Sequence, residues 1–562
     1  MSLQFIFGNS GSGKSHYLYQ QIVEESIRHP EKNYLVLVPE QFTMQTQKDL
    51  CMAHPRGGIM NIDVLSFGRL AHRVFEETGK ERQPILDDEG KNLVLRKIAG
   101  NYEDELTVLK GNLKKQGYIS EVKSVISEFT QYGIDFEQLD SFMEGLNSES
   151  YLYYKLKDIR KVYEGFEDYL RDKYITKEEL LDVLSQNVAE AKMLKDSVIA
   201  MDGFTGFTPV QNRLIGELLK VCDKIMLTVE IDRREDPFVY KHPYQLFALS
   251  KQMVTSLTEV AQEVKVEIDE PVWLCKNPPY RFKENPEMAF LEEELFRYSR
   301  RKYSGEKMQS ISLHEVHTPQ EEAQYVAEEI RRLVREEGYR YREIAVIASD
   351  LNTYADSLEK ACERYEIPVF MDHKKSILLN SFVEYLRSLL VMVEQNYTYE
   401  SVFRYLRTGL CGFTRDEVDR LENYCLALDL KGFKKWDQVW VRKTPMTKKE
   451  ELEELNQLRV RFVEKLTPLH TVLKKRRKTV KEITLAVYEY LVQEKIQEQL
   501  AELEQKFQEE GELALAKEYA QIYRIVLELF DKFVELLGEE EIPLKEYCEL
   551  LHESLRYLDD LL

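Results

Sequence analysis

Cysteine is scarce in this chain: seven are spread over 562 residues, without a CxxC pair and without a histidine at metal-ligand spacing. Disulfide frameworks and structural zinc sites depend on closely spaced cysteines, so the sequence predicts neither. The thiols are expected to stay reduced, as in a cytoplasmic protein. The seven are Cys51, Cys222, Cys275, Cys362, Cys411, Cys425 and Cys548.

Long apolar runs are also missing. No stretch approaches the roughly 18 consecutive apolar residues of a membrane span, and the N-terminus lacks the charged and apolar regions of a signal peptide. With 43% hydrophobic and 31% charged residues, the composition is typical of a globular protein. A chain of 562 residues exceeds what one hydrophobic core can organise, so several domains are expected.

Positive charge is the third shortage, since the formal net charge is −21. This excludes a protein covered in positive potential, but it does not exclude nucleic acid as a partner, because a channel can be basic while the outside is acidic. The one dense basic run comprises Lys474, Lys475, Arg476, Arg477 and Lys478. It is either a phosphate contact or a solvated helix end or loop.

The most informative pattern that is present lies at the N-terminus, where an apolar run at residues 3–7 precedes an octapeptide that fits GxxxxGK(S/T). Its glycines allow backbone N–H groups to surround phosphate oxygens at the start of a helix predicted over residues 14–28. A chance match in a Gly/Ser turn is the alternative, but the position between a strand-like run and an amphipathic helix favours phosphate binding. The predicted ATP-phosphate residues are Gly8, Asn9, Ser10, Gly11, Ser12, Gly13, Lys14 and Ser15.

Within this motif, Lys14 is predicted to reach the β- and γ-phosphates and Ser15 to ligate Mg²⁺. No other metal is expected in the chain.

Short strands alternate with helices along the first 84 residues, which predicts a parallel sheet flanked by helices. Residues 85–194 show the helical period and heavy charge, so this block is predicted to be a helical insertion. Strand signals then return and are assigned to the same sheet. The strands predicted for this sheet are residues 3–7, 34–38, 61–66, 197–202 and 224–230.

A second α/β unit is predicted after a polar, proline-containing stretch at residues 277–286, which we expect to be a linker. Its helix is predicted at residues 321–336, and the chain is predicted to be helical from about residue 396 to its end. Its strands are predicted near residues 310–316, 343–348 and 367–370.

This order of parts resembles a superfamily 1 helicase of the UvrD type. Several segments resemble more closely the B subunit of the AddAB (RexAB) helicase-nuclease, the bacterial machine that processes double-strand DNA ends. They are FIFGNSGSGKS at 5–15, VPEQFT at 38–43, VLSFGRLA at 64–71, MDGFTGFTP at 201–209, EEA at 321–323 and IAVI at 344–347.

The resemblance implies an α/β fold with a P-loop NTPase (RecA-like) parallel sheet, a helical insertion, a second RecA-like lobe and a helical C-terminal region. The expected domains are 1–84 with 195–300 for the first lobe, 85–194 for the insertion, 301–395 for the start of the second lobe and 396–562 for its helical insertion. The expected cofactors are ATP and Mg²⁺. The expected partners are an AddA-type helicase-nuclease subunit, double-stranded DNA ends and 3′ single-stranded DNA.

Two departures from an active motor predict weak or absent ATP hydrolysis. In such helicases an Asp-Glu pair ends a strand, the Asp contacting Mg²⁺ and the Glu polarising water; here Asp202 is followed by Gly203, which cannot act as a base. The alternative for Asp202 is a turn residue that closes a strand. The arginine that active relatives carry after the first strand of the second lobe is replaced by Ser349, although Arg340 and Arg342 lie nearby.

In this family the degenerate motor of the B subunit is thought to recognise the Chi hotspot in single-stranded DNA. Amide and guanidinium groups can bond base edges, and aromatic rings can stack on bases. Phe67 as a core residue and Gln41 as a helix-start residue are the alternatives, and His72 stands where relatives often have tryptophan. The positions that resemble the recognition residues are Gln41, Thr43, Phe67, Arg69, His72, Phe204 and Phe207.

The family's nuclease domain and its 4Fe–4S cysteines are not visible in the sequence, so an N-terminal fragment of a longer protein is expected. The leading hypothesis for function is a subunit that binds nucleotide and scans DNA for the hotspot beside an active helicase. One alternative is an active superfamily 1 helicase with a substitute base. Another, a P-loop small-molecule kinase, leaves residues 38–43, residues 64–71 and the second α/β unit unexplained.

Overall fold

The structure is a computed structural model that describes residues 1–79, 84–112, 117–171, 173–305, 308–371, 377–443 and 449–557. It divides into two compact units. The first comprises Met1–Lys91 with Ile98–His314, and the second comprises Asn92–Lys97 with Glu315–Leu562. None of the helices in the described part of the chain is long and apolar enough to cross a bilayer.

The strands of the described residues all belong to the first unit. They are β1 (Ser2–Gly8), β2 (Tyr34–Leu37), β3 (Ile62–Leu65), β4 (Ile85–Leu86), β5 (Ile175–Thr176), β6 (Val198–Met201), β7 (Lys224–Glu230), β8 (Glu267–Ile268) and β9 (Val272–Trp273).

Seven of these strands form one parallel sheet in the order β3-β2-β6-β7-β1-β8, and β9 also pairs with β1. Alternate residues of β1 face opposite sides: Phe5 and Phe7 join one hydrophobic cluster and Ile6 joins the other. Because both faces are buried, the strands are apolar at nearly every position, as parallel sheets require. The five strands predicted for this sheet are confirmed, each within two residues at either end.

Helices connect the strands of the first unit and form the insertion between β4 and β6. They are α1 (Lys14–Arg28), α2 (Thr43–Ala53), α3 (Phe67–Thr78), α4 (Asp88–Asn101), α5 (Tyr118–Tyr132), α6 (Phe136–Glu144), α7 (Tyr151–Leu170), α8 (Leu180–Asn187), α9 (Pro209–Leu219), α10 (Ala248–Glu263) and α11 (Pro286–Glu294).

Local sequence explains where the helices at the sheet edge begin. Gly13 adopts a left-handed conformation (φ 93°) immediately before α1, which starts at the predicted residue. Ser66 caps α3 by accepting a hydrogen bond from Arg69 N. Thr208 and Gln211 form a capping box around Pro209 at the start of α9.

The second unit is helical in its described part. Its helices are α12 (Pro319–Glu336), α13 (Leu351–Arg364), α14 (Ser381–Glu394), α15 (Tyr399–Leu406), α16 (Arg415–Leu428), α17 (Phe433–Asp437), α18 (Lys449–Leu473), α19 (Val480–Gln493), α20 (Ile496–Glu510), α21 (Leu513–Leu537) and α22 (Leu544–Tyr557). The helix predicted at residues 321–336 and the helical C-terminal region are confirmed.

The three strands predicted near residues 310–316, 343–348 and 367–370 are wrong, because the structure has no strand in these segments. A strand needs a neighbour that takes up its N–H and C=O groups, and no strand among the described residues lies beside them. Several of their apolar side chains stay exposed, with Leu313 97%, Ile347 95% and Phe370 92% accessible, although Ile367 is buried. The apolar pattern alone was therefore not sufficient to predict a paired strand.

Candidate functional site

The predicted phosphate-binding loop connects β1 to α1 at the carboxyl edge of the sheet. Gly11 (φ 73°) and Gly13 (φ 93°) are left-handed, so other residues would be strained at these two positions. Ser12 N donates to Asn9 O at 3.2 Å, and Lys14 Nζ donates to the same carbonyl at 2.9 Å. The loop is thus closed on itself, with its lysine folded against it.

Polar groups inside the loop fit a phosphate ligand. The Ser12 hydroxyl is buried and has no hydrogen-bond partner in the described part of the chain. The Asn9 amide donates to Glu292 at 2.9 Å, which leaves its Oδ1 buried and without a partner there. A buried hydroxyl without a partner is costly, and a phosphate oxygen would satisfy it.

Asp202 lies directly beside Ser15. Its Oδ1 accepts hydrogen bonds from Ser15 Oγ at 3.1 Å and Thr228 Oγ1 at 2.5 Å, and its Oδ2 accepts one from Tyr19 at 2.8 Å. The carboxylate is buried and held from two elements, α1 and β7. A hydroxyl and a carboxylate in contact are the ligand pair that a nucleotide-bound Mg²⁺ would use.

Charge at the loop centres on the half-buried ammonium of Lys14. Burial lowers the pKa of Lys14, and the carboxylates of Glu230 and Asp202 oppose this effect. Burial raises the pKa of Glu292, which bonds Asn9 from α11. A phosphate group would add negative charge beside Lys14 and stabilise its charged form.

A cavity of about 830 Å³ opens over these groups within the first unit. Besides the loop and Asp202, it is lined by Tyr19, Thr228, Glu230, Tyr280 and Arg281. Its volume is in the range of pockets that hold ligands of nucleotide size.

The sequence pattern missed Arg281 and Tyr280, because residues 277–286 were predicted to be a linker. Instead, Arg281 N donates to Gly11 O at 3.0 Å, which ties this segment to the phosphate-binding loop. The guanidinium of Arg281 makes no hydrogen bond or ion pair with the described residues, and it lines the cavity. No motif surrounds this arginine, so the sequence carried no signal that would have identified it.

Gly203 directly follows Asp202 and has a φ of 78°, so the chain turns sharply here. This is the position at which active helicases are expected to carry the catalytic glutamate. Another carboxylate that lines the cavity is Glu230, at the end of β7. Its carboxylate makes no hydrogen bond or ion pair with the described residues. Ser349 lies in the second unit and is exposed, and its predicted relation to a missing arginine stays a prediction.

The predicted DNA-recognition residues follow three neighbouring strands. Leu37 of β2 pairs with Leu65 of β3 and with Met201 of β6, so the segments after these residues leave the same edge of the sheet. We call the segments 38–43, 66–72 and 202–207 the recognition edge. It carries every position for which recognition was predicted.

The side chains of the recognition edge differ in accessibility. Gln41, Arg69 and His72 are exposed, and the side chains of Gln41 and Arg69 make no hydrogen bond with the described residues. Thr43 is buried and donates to Glu40 O at 3.0 Å, which supports the local turn. Of these four side chains, only the three exposed ones are placed to meet a ligand directly.

The three predicted phenylalanines form one aromatic cluster. The ring centroid of Phe67 lies 5.5 Å from that of Phe204 and 6.2 Å from that of Phe207, and the latter two are 5.1 Å apart. Phe67 is only 8% exposed and belongs to the core, as its alternative interpretation held, whereas Phe204 and Phe207 are half-buried. Phe67 therefore supports the other two rings from below.

The basic run at residues 474–478 forms the connection between α18 and α19. Lys478 is buried and donates to Lys475 O at 3.0 Å, so it is not a surface cation. Lys475 lies 3.8 Å from Glu482 and Arg477 lies 4.0 Å from Glu541. The run is thus partly neutralised, and its role in DNA contact stays undecided. No group of three or more His, Cys, Asp or Glu able to hold a metal occurs in the described residues.

Comparison with protein families identifies two matching models. The model described as "ADDB, N-terminal" matches residues 5–292, which include the phosphate-binding loop and the recognition edge. The model described as "UvrD-like helicase C-terminal domain" matches residues 284–559.

Similar proteins are named as the B subunit of an ATP-dependent helicase/deoxyribonuclease. The protein from Lachnoclostridium phytofermentans is 41% identical over 562 residues, which cover 99% of this chain and 49% of the relative. Those from Caldanaerobacter subterraneus and Clostridium novyi are 34% and 33% identical, over 98% and 100% of this chain, and over 48% of each relative. The chain spans about half the length of these relatives.

Proposed function

The chain belongs to the ADDB N-terminal family, and from this premise we propose that it binds ATP with Mg²⁺ but hydrolyses it weakly or not at all. The observation that carries this proposal is the contrast within one pocket: Ser15 and Asp202 are in contact, while the next residue is Gly203. Phosphate and metal ligands are present, and the usual base is missing.

The residues of the pocket have distinct parts in binding. Backbone N–H groups of residues 8–15 and the Ser12 hydroxyl would hold phosphate oxygens, and Lys14 would neutralise their charge. Ser15 and Asp202 would hold Mg²⁺, which would offset the negative charge of the phosphates. Arg281, which is bonded to the loop at Gly11 and lines the cavity, would add a second cation.

The recognition edge would then bind single-stranded DNA and read the Chi hotspot. Support comes from exposed Gln41 and Arg69, which have hydrogen-bonding capacity free, and from the half-buried rings of Phe204 and Phe207 beside them in the same edge. Amides and guanidinium groups select base edges, and aromatic rings hold bases by stacking.

The complete protein would act as one subunit of a heterodimeric helicase-nuclease that processes DNA double-strand breaks for recombination. The partner would be an AddA-type subunit that supplies an active motor. The names of the relatives support a helicase and deoxyribonuclease role for those proteins. The nuclease and the 4Fe–4S cluster would lie in the half that the present chain does not cover.

The decisive experiment measures DNA-stimulated ATP hydrolysis by the full-length protein without its partner, alongside Lys14→Ala. We expect ATP binding that depends on Lys14 and turnover near the background of the variant. Robust turnover that disappears in Lys14→Ala would refute the inactive-motor proposal.

A second candidate function is an active ATPase, and Glu230 is the observation that favours it. Its carboxylate lines the cavity, and of the negative charges around Lys14 it raises the pKa of Lys14 the most. If robust hydrolysis is found, Glu230→Gln should abolish turnover while ATP affinity is kept, because the amide cannot accept a proton from water.

A further inference from the structure

The recognition edge carries a further aromatic side chain that is more exposed than Phe67. Phe42 follows β2 by five residues and lies between Gln41 and Thr43. Its side chain is 47% exposed, in contrast to 8% for Phe67. A large ring that is half exposed beside two predicted recognition residues is placed to contact a ligand.

Hydrogen bonds order the backbone that carries this ring. Phe42 N donates to Pro39 O at 2.9 Å in a 3-10 turn over Glu40–Phe42, and α2 begins at the next residue. The hydroxyl of Thr43 closes the turn on Glu40 O. An aromatic side chain on an ordered backbone has only two side-chain torsions, so it loses little conformational freedom when a base stacks on it.

Gly203 faces this ring from the neighbouring strand end. A Cβ at Gly203 would lie 3.8 Å from Phe42 Cδ2 and 3.6 Å from Pro39 Cδ. A longer side chain would continue from that contact alongside the ring and take space that a base needs. The glycine that leaves the pocket without a base thus also leaves Phe42 accessible.

We propose that Phe42 is a base-stacking residue for single-stranded DNA and that Gly203 is the positioning residue that keeps its ring accessible. This rests on the proposed DNA recognition by the same edge. A base has a π-face whatever its identity, so Phe42 would contribute affinity, and Gln41 and Arg69 would contribute selectivity.

The test uses the full-length protein in its native assembly and single-stranded oligonucleotides with 2-aminopurine at successive positions. Stacking on Phe42 should quench fluorescence at one position. Phe42→Leu should remove that quenching and weaken DNA binding by about fivefold or more. Fivefold is the lower end of the loss in affinity expected when stacking of one base is removed. Phe42→Trp should keep both.

Phe142→Leu is the matched control, because Phe142 of α6 is also exposed, at 59%, and lies in the helical insertion. Gly203→Asn tests the positioning role, since asparagine tolerates a left-handed backbone and adds a side chain against Phe42. It should reduce quenching at the same position as Phe42→Leu.

The outcomes separate this inference from the proposed function. If the wild-type protein bound no single-stranded DNA, both would fall. If it bound DNA while Phe42→Leu and Phe142→Leu behaved alike, the stacking role of Phe42 would be overturned and DNA recognition would stand. Unchanged quenching in Gly203→Asn would overturn the role of Gly203.

Discussion

Two ends of one sheet edge use different kinds of groups. At the end of β1, the phosphate-binding loop would bind through backbone N–H groups, left-handed glycines and a half-buried lysine. At the ends of β2, β3 and β6, the recognition edge would bind mainly through side chains on short turns and helix starts. Both follow parallel strands, yet in the proposed roles the backbone itself contacts the ligand only at the first.

This difference explains why the two ends can change independently. A loop that binds phosphate through its backbone N–H groups depends mainly on a few glycines, so it can be retained as long as phosphate binding is retained. A side-chain surface can be altered one residue at a time without disturbing the sheet beneath it. Under the proposed function, the loss of a base at residue 203 would therefore leave phosphate binding in place while the neighbouring strand ends bind DNA.

The largest effect is expected from a change in the phosphate-binding loop that leaves the recognition edge intact. Lys14→Ala should weaken ATP binding by about 10- to 150-fold, because a charge-assisted contact contributes about 1.5–3 kcal/mol. Titration calorimetry with a non-hydrolysable ATP analogue measures this. Lys48→Ala, an exposed lysine of α2, is the control and should bind normally. An equal loss in both variants would contradict a specific role for Lys14.

Asp202→Asn should reduce the Mg²⁺-dependent part of ATP affinity by about tenfold, because a neutral amide is a weaker ligand for a hard cation. Affinity measured in chelator should change little, since Asp202 would contact the metal rather than the phosphates. The same loss with and without Mg²⁺ would mean that Asp202 serves the packing of Ser15, Tyr19 and Thr228 instead.

At the recognition edge, Arg69→Ala should lower discrimination between hotspot and scrambled single strands by about fivefold, the lower end for a base-edge contact. End binding should stay close to normal. Arg73→Ala is the matched control, one helical turn further along α3, where Arg73 pairs with Asp63 at 2.9 Å. If Arg69→Ala weakened all DNA equally, Arg69 would be a phosphate contact.

The smallest expected effect is on the pH dependence of ATP affinity at the phosphate-binding loop. Because burial raises the pKa of Glu292, its carboxylate takes up a proton at a higher pH than an exposed glutamate would. As the pH falls through this raised pKa, negative charge beside Asn9 is lost and ATP affinity should rise, by about twofold for this one charge. Glu292→Gln should flatten this part of the profile, while the titration of the nucleotide itself affects both proteins alike. Parallel profiles would contradict it.

Much of the first unit could be predicted because its signals are local. The loop glycines set their own backbone conformation, and α1 begins and ends at the predicted residues. The apolar runs of β1, β6 and β7 lie beside partner strands, so the strands predicted there are formed. The apolar run at residues 344–347 has no partner strand among the described residues, so the strand predicted there is not formed.

The candidate site shows the same limit. The contact between Ser15 and Asp202 joins residues 187 positions apart, and the motif order indicated it. Arg281 reaches the cavity through one backbone hydrogen bond to Gly11, which no residue pattern encodes. From the sequence, Phe67 could be either a core residue or a ligand contact. Its burial in the structure shows that it is a core residue whose ring packs against Phe204 and Phe207.

The unpaired apolar segments at residues 344–347 and 367–370 matter for handling this chain in solution. These segments form no strand and expose Val346, Ile347, Val369 and Phe370, so another polypeptide can pair with their backbone and cover these side chains. Self-association that grows with protein concentration is therefore expected of the isolated chain. A lysine in place of Ile347 or Phe370 would be the first change to make for a well-behaved sample.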